Sequence, residues 1–219
     1  MSILLFDQTG TDVLLVSDTL VVGDNYDPVM FQTKLWPLPH LNMVIASTGT
    51  ANIARTWNDC VTSMFGPDDI EGLNTEAPRT LRAIAEELTN QYGPLGSSTI
   101  YHFGFPAGSD KPVRYTYRSA NGFEPERFEG PQFGAKPTPP GFKLNRPAGP
   151  EEYIDLAHRL RDENERLRDT GGVPIGGDLF ATLIENGSIR TIRWHRFPDY
   201  DEHRRQMLQH AAAAFEGRD

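Results

Sequence analysis

The feature that most constrains this chain is the way two hydrophobic periods take turns along it, with blocks of short strand-like runs interrupted by stretches of helical spacing. Residues 3–6 and 13–16 are apolar runs separated by Gln8-Thr9-Gly10-Thr11-Asp12, which predicts a hairpin whose first strand begins at residue 2. Residues 43–46 form a short run of the buried-strand type, leading into the small-residue bend Ser47-Thr48-Gly49-Thr50. Helical spacing then takes over. Ala51, Ile53, Ala54, Trp57, Val61 and Met64 share one face as far as Gly66-Pro67, and Leu81, Ile84, Ala85 and Leu88 mark a second helix over residues 78–92. Strands are predicted again at 99–105 and 113–118, with a third after the hairpin signal Asn121-Gly122. Residues 130–150 are dense in proline and glycine and read as a long loop. That segment and residues 23–28 are the two places where a lid or insertion would sit. A charged amphipathic helix over 151–167, strands at 179–185 and 189–194 about Asn186-Gly187-Ser188, and a helix over 201–215 complete the pattern.

Strand blocks with helices inserted between them predict two antiparallel sheets packed face to face and covered by helices on both outer faces, an α+β, four-layer αββα sandwich. The 219 residues suit one domain spanning 1–219, with 130–150 as its insertion or lid. Composition narrows the function classes. A formal net charge of −9 argues against broad phosphate-driven binding of nucleic acid. Cys60 is the single cysteine, which rules out an internal disulfide framework and a multi-cysteine zinc site and fits a reducing compartment. No stretch approaches the roughly 20 apolar residues of a spanning helix, and the apolar run at the start is too short for a signal peptide. A cytoplasmic location, with neither membrane nor nucleic acid as partner, is the expectation.

Three residues and a bend carry the chemistry. Ser2 becomes N-terminal if Met1 is removed, and a small second residue permits that removal. Asp18 follows sixteen residues later, at the end of the second predicted strand, and Lys34 a further sixteen residues on. Gly49 then joins a buried strand to a helix. A serine hydroxyl is a poor nucleophile without a base beside it. The α-amine of the same residue, with an ordinary pKa of about 7.7–8.0, is neutral often enough near pH 7 to take the proton. A Lys34 ammonium would lower that pKa by like-charge repulsion, Asp18 would hold Lys34 in place, and the Gly49 N–H would serve as oxyanion donor.

This set resembles the catalytic β-subunits of proteasomes and the bacterial peptidase HslV, which carry an N-terminal nucleophile, an Asp, a Lys and a glycine bend in this order. The Leu14-Leu15-Val16-Ser17-Asp18 context and the Ile45–Ala51 bend are similar to theirs, and both intervals match without a gap. The resemblance implies an N-terminal-nucleophile (Ntn) amide-bond hydrolase acting on a peptide or amide, with no organic cofactor and no metal. It also implies self-assembly into a ring or other homo-oligomer, and leaves open an ATPase partner. The chain departs from the pattern in three ways. Its nucleophile is Ser in place of Thr. Ile175-Gly176-Gly177 stands where many such subunits have Ser-Gly-Gly, with Gly172 where they have an Asp, and no second supporting Ser is evident around 130–150. A catalytically silent subunit serving in assembly or binding, and a small-molecule amidase with 130–150 as lid, are the alternatives.

Other clusters are weaker. His195, Asp199, Asp201 and His203 fall close together, but Phe197 and Pro198 interrupt them, and a solvated polar turn is the better reading. His40 or His102 could enter a Ser–His–Asp arrangement, yet no Gly-x-Ser-x-Gly elbow accompanies them. No glycine-rich phosphate loop is present.

Overall fold

The structure is a computed structural model that describes residues 3–23, 25–63 and 66–216, the last four without their side chains. Ser2 therefore lies outside the described residues. The first sheet has the order β10-β1-β2-β11-β12, from β1 (Leu4–Gln8), β2 (Asp12–Asp18), β10 (Gln132–Lys136), β11 (Asp178–Glu185) and β12 (Ser188–Arg196). The second runs β5-β6-β7-β8-β9, from β5 (Leu35–Leu38), β6 (Met43–Gly49), β7 (Ser98–Gly104), β8 (Val113–Arg118) and β9 (Pro125–Glu129). All pairings within both sheets are antiparallel. Between them in sequence, β3 (Leu20–Val22) and β4 (Pro28–Phe31) form a small ribbon.

Strand alternation sorts the side chains into layers. Leu4, Phe6, Val13 and Leu15 meet Val44, Ala46, Tyr101 and Phe103 between the sheets. On the outer face of the second sheet, α1 (Ala51–Ser63) and α2 (Ile70–Tyr92) bury Trp57, Val61, Leu73 and Leu81 against Met43, Ile45 and Ile100. On the outer face of the first, α3 (Pro150–Arg166) buries Tyr153, Leu156 and Leu160 against Ile3, Leu5 and Val16. Each such side chain, removed from water, contributes about 1.5–3 kcal/mol, so the outer cores fix the helical layers as firmly as the inner core fixes the sheets. The α4 helix (Tyr200–Glu216) docks at the ribbon, where Tyr200 stacks on Phe31 with centroids 4.3 Å apart. Two antiparallel sheets between helices are the four-layer sandwich expected from the sequence.

Two elements differ from expectation. The second helix begins at Ile70, eight residues before Pro78, which lies inside it. Asp69 caps the true start by accepting from the Gly72 N–H at 2.8 Å, and Ile70, Leu73 and Ala77 extend the buried stripe past the proline. Burial of that stripe outweighs the helical hydrogen bond that proline forfeits. The 130–150 segment is also not wholly loop, since β10 lies within it and pairs with β1. The proline and glycine content of the segment predicts loop, but a Cβ at Gly134 would fall 2.4 Å from the Phe6 ring, so this glycine is what lets the strand close over the aromatic.

Candidate active site

Asp18 ends β2 in the interior of the first sheet, in register with Leu179 of β11, and is wholly buried. Its carboxylate is answered from three directions. Oδ1 accepts from the Ile3 N–H at 3.1 Å and from Lys34 Nζ at 2.9 Å, while Oδ2 accepts from the Gly176 N–H at 3.1 Å. Lys34 sits just ahead of β5 and is 8% exposed. Its Nζ also donates to the Leu20 carbonyl at 2.7 Å. Burial pushes the Lys34 ammonium below its ordinary pKa, and the Asp18 charge and hydrogen bond act in the opposite direction. Two charges taken out of water survive only where geometry and further hydrogen bonds repay the loss, and here two backbone N–H groups and a carbonyl do so.

The sequence-predicted residues are thus partly brought together. Asp18 and Lys34 form one ion pair. Ser2 itself lies outside the described residues, but its covalent neighbour Ile3 is bonded to that pair. The Ser17 hydroxyl donates to the Ile3 carbonyl at 2.9 Å, so the strand start is held on both sides of this residue. Gly49 closes β6 opposite Ser98 of β7. It has φ +94°, and a Cβ would fall 2.0 Å from the Ser97 carbonyl oxygen. The approach of β6 to β7 therefore demands glycine here, whether or not a ligand carbonyl also comes close.

Sequence reasoning missed the strap that crosses the pair. After α3 the chain returns through Val173, whose N–H donates to the buried Asn164 Oδ1 at 3.0 Å. Gly176 then offers its N–H to Asp18, and its carbonyl accepts from Thr19 N at 3.3 Å and Leu20 N at 3.1 Å. Only the Gly176-Gly177 doublet hinted at this. Ile175, at the position where the resemblance would put a serine, is 4% exposed and packs into the outer core with Leu179 and Phe197.

Two clefts share Gly49 and Ser97, and neither Asp18 nor Lys34 lines them. One, of about 570 Å³, is bounded by Val21, Val22 and Tyr26 on one side and by Thr50, Ala51 and Asn52 on the other. The second, of about 160 Å³, lies between Thr48, Thr99 and Lys136. A separate apolar hollow of about 460 Å³ lies between the start of α3 and Leu183, Ile192 and Trp194, on the outer face of the first sheet. Neither Asp18, Lys34 nor Gly49 lines it.

The competing constellations do not form sites. No group of three or more His, Cys, Asp or Glu that could hold a metal occurs among the described residues. His195 faces His158 with Nε2 atoms 3.0 Å apart, while Asp199 is taken up by Arg161 and lies 3.4 Å from His203. His102 is sealed in the core under α1, where its Nε2 accepts from the Trp57 indole N–H at 2.8 Å. Cys60 is a free thiol, partly buried against the core beneath α1 and α2. No helix among the described residues is long and apolar enough to cross a membrane.

No protein-family model and no curated protein matches this chain in sequence. Comparison of folds is more informative. The structure is similar to that of a mutant of Anbu from Hyphomicrobium sp. strain MC1, with a TM-score of 0.53 over 99% of this chain and 97% of that one. Anbu is an HslV-like, proteasome-type subunit. At 13% identity the likeness concerns architecture and not chemistry: the chain has the sandwich fold of the Ntn hydrolases.

Proposed function

We propose that this protein is an Ntn amide-bond hydrolase, a peptidase whose nucleophile is Ser2 once Met1 has been removed. The observation that carries the reading is the buried Lys34–Asp18 pair, tied by the Ile3 N–H to the first strand one residue from Ser2. A lysine ammonium has three donors, and two of the three on Lys34 are engaged by described residues. The third is left for the Ser2 hydroxyl. In this mechanism the free α-amine of Ser2 takes the hydroxyl proton as Oγ attacks the substrate carbonyl. The neighbouring ammonium keeps the amine neutral by like-charge repulsion and stabilises the developing oxyanion, to which the Gly49 N–H contributes. The amine then returns its proton to the leaving nitrogen, and water resolves the acyl–serine. The cleft of about 570 Å³ beside Gly49 takes the chain of the substrate. Assembly into a homo-oligomer and a cytoplasmic location belong to the same reading.

Hydrolysis by a fully processed chain, compared with one carrying an uncleavable N-terminal tag, tests this. The processed chain should cleave peptide amides and the tagged chain should not, because its Ser2 nitrogen is an amide without basicity. Equal rates would sink the reading. A second reading, a subunit that binds without catalysing, is favoured by one observation: Ile175 offers a buried apolar side chain where a hydroxyl would assist the nucleophile. It predicts retention of Met1, visible in the intact mass.

A further inference from the structure

The smaller of the two clefts has a character that the proposed chemistry does not require. Its walls come from facing layers of the sandwich. In the second sheet, Thr48 of β6, Thr99 of β7 and Arg118 of β8 lie in one cross-strand row. Strand alternation puts this row on the inter-sheet face, in phase with Ala46, Tyr101 and Phe103. In the first sheet, Lys136 pairs with Leu4, itself an inter-sheet residue, so the Lys136 side chain shares that face. The cleft between them holds about 160 Å³, close to the bulk of a single side chain.

Its polarity is one-sided. Thr48, Ser97, Thr99 and Lys136 line it with Gly49, Pro137 and Val173, and no acidic residue does. The phenol of Tyr101, 3% exposed, interacts with Thr48 and Thr99 beneath, within the field of Arg114 and Arg118. Arg118 is paired with Glu126, but Lys136 has no ion-pair partner among the described residues. Arg114, 6% exposed, rests on the Phe6 and Phe128 rings with no carboxylate paired to it among the described residues. A chain of net charge −9 repels anions at long range, so a lysine with no ion-pair partner among the described residues, in a cleft lined by Thr48, Ser97 and Thr99, marks a place for a negative group. The cleft shares Gly49 and Ser97 with the larger one, and its Lys136 pairs with Leu4 at the start of β1.

Resting on the hydrolase reading, we infer that the substrate is an acidic peptide, with Lys136 a specificity residue that receives a glutamate or aspartate carboxylate among the hydroxyls of Thr48 and Thr99. An ammonium–carboxylate contact in a partly screened cleft corresponds to a preference of roughly threefold to tenfold over the neutral isostere.

The test uses the full chain with Met1 removed and Ser2→Ala, so that peptide is bound and not consumed. Acetylated peptide amides are compared in matched pairs that differ only by Glu against Gln, one position at a time, by titration calorimetry. At one position the Glu peptide should bind threefold to tenfold more tightly. Lys136→Gln should abolish that preference and Lys136→Glu should invert it, with circular dichroism confirming that both variants are folded. Equal or absent binding of the pair by the unsubstituted Lys136 chain overturns the inference, as does a Glu preference that survives Lys136→Glu. Hydrolytic activity with no Glu preference would overturn this inference alone. A Glu preference in a protein without hydrolytic activity would overturn the hydrolase reading alone.

Discussion

Asp18 and His102 are both wholly buried polar side chains, one in each sheet, and the fold treats them in opposite ways. Asp18 keeps company with a cation and two backbone N–H groups. His102 has a single hydrogen bond, from Trp57, and its Nδ1 has no partner among the described residues. Because Nε2 accepts the indole proton, the imidazole carries its own on Nδ1, and desolvation pushes its pKa down to about 3. It is a neutral ring packed against Tyr117 and Trp57, with centroids 4.8 and 5.8 Å away. The difference teaches where charge is maintained inside this protein. A buried carboxylate met only by hydrogen-bond donors holds its charge and that of Lys34 one residue along the chain from Ser2, whereas a lone histidine under a helix stays neutral and packs.

The sharpest way to break this comparison is to take one member out of the Asp18 network. Asp18→Ala strands the Lys34 ammonium in the interior with only the Leu20 carbonyl, at an expected loss of about 3–5 kcal/mol in urea denaturation. Lys34→Met leaves Asp18 its two N–H donors, so stability should fall less, by about 1–3 kcal/mol. Hydrolysis should nonetheless drop by roughly 10²–10⁴-fold, since the group acting on the Ser2 amine is gone. Equal destabilisation by the two variants with activity retained in Lys34→Met would mean that the pair is structural.

His102 should reveal itself through acid. Its folded pKa of about 3 lies below the ordinary value of 6.5, so the unfolded chain takes up the proton first. The stability it confers is complete above pH 6.5 and is lost as pH falls from 6.5 towards 3, by a few kcal/mol over that window. His102→Gln keeps an acceptor for Trp57 and removes the titration, so its stability should vary less with pH across the same range. An unchanged acid profile in that variant would show that another group controls it.

The network was only half legible in the sequence, for a physical reason. Asp18 and Lys34 bear side chains whose charges and spacing can be read along the chain. The partners that complete the site are backbone groups of Ile3, Leu20 and Gly176, which have no side-chain signature. Gly176 lies 158 residues from Asp18, so only tertiary structure brings them together. The same division holds for the fold. Apolar periodicity located the first helix and the hairpin, because each buries its own stripe. It lost β10, whose Gly134 answers to the Phe6 ring and not to a strand pattern, and it started α2 too late by treating Pro78 as a boundary.

Glycine substitutions sharpen the contrast between site and scaffold with smaller effects. Gly49→Ala places a methyl 2.0 Å from the Ser97 carbonyl oxygen and 2.9 Å from backbone carbon, at φ +94°. Backbone must shift there, costing about 2–3 kcal/mol and displacing the bend shared by both clefts. In Gly134→Ala the methyl meets a ring that can tilt, so about 1–2 kcal/mol is expected with activity largely kept. Thermal unfolding together with peptide hydrolysis separates the two, and loss of activity in Gly134→Ala alone would reverse the assignment.

The most direct measurement of the central claim, that the Lys34–Asp18 pair serves a nucleophile at Ser2, is peptide mapping by mass spectrometry after treatment with a peptide β-lactone. The processed protein should gain one adduct, on Ser2, while processed Ser2→Ala should gain none and Lys34→Met should acquire it at least tenfold more slowly. An adduct that forms equally fast in Ser2→Ala, or no adduct on a chain whose mass confirms that Met1 is gone, would contradict the account.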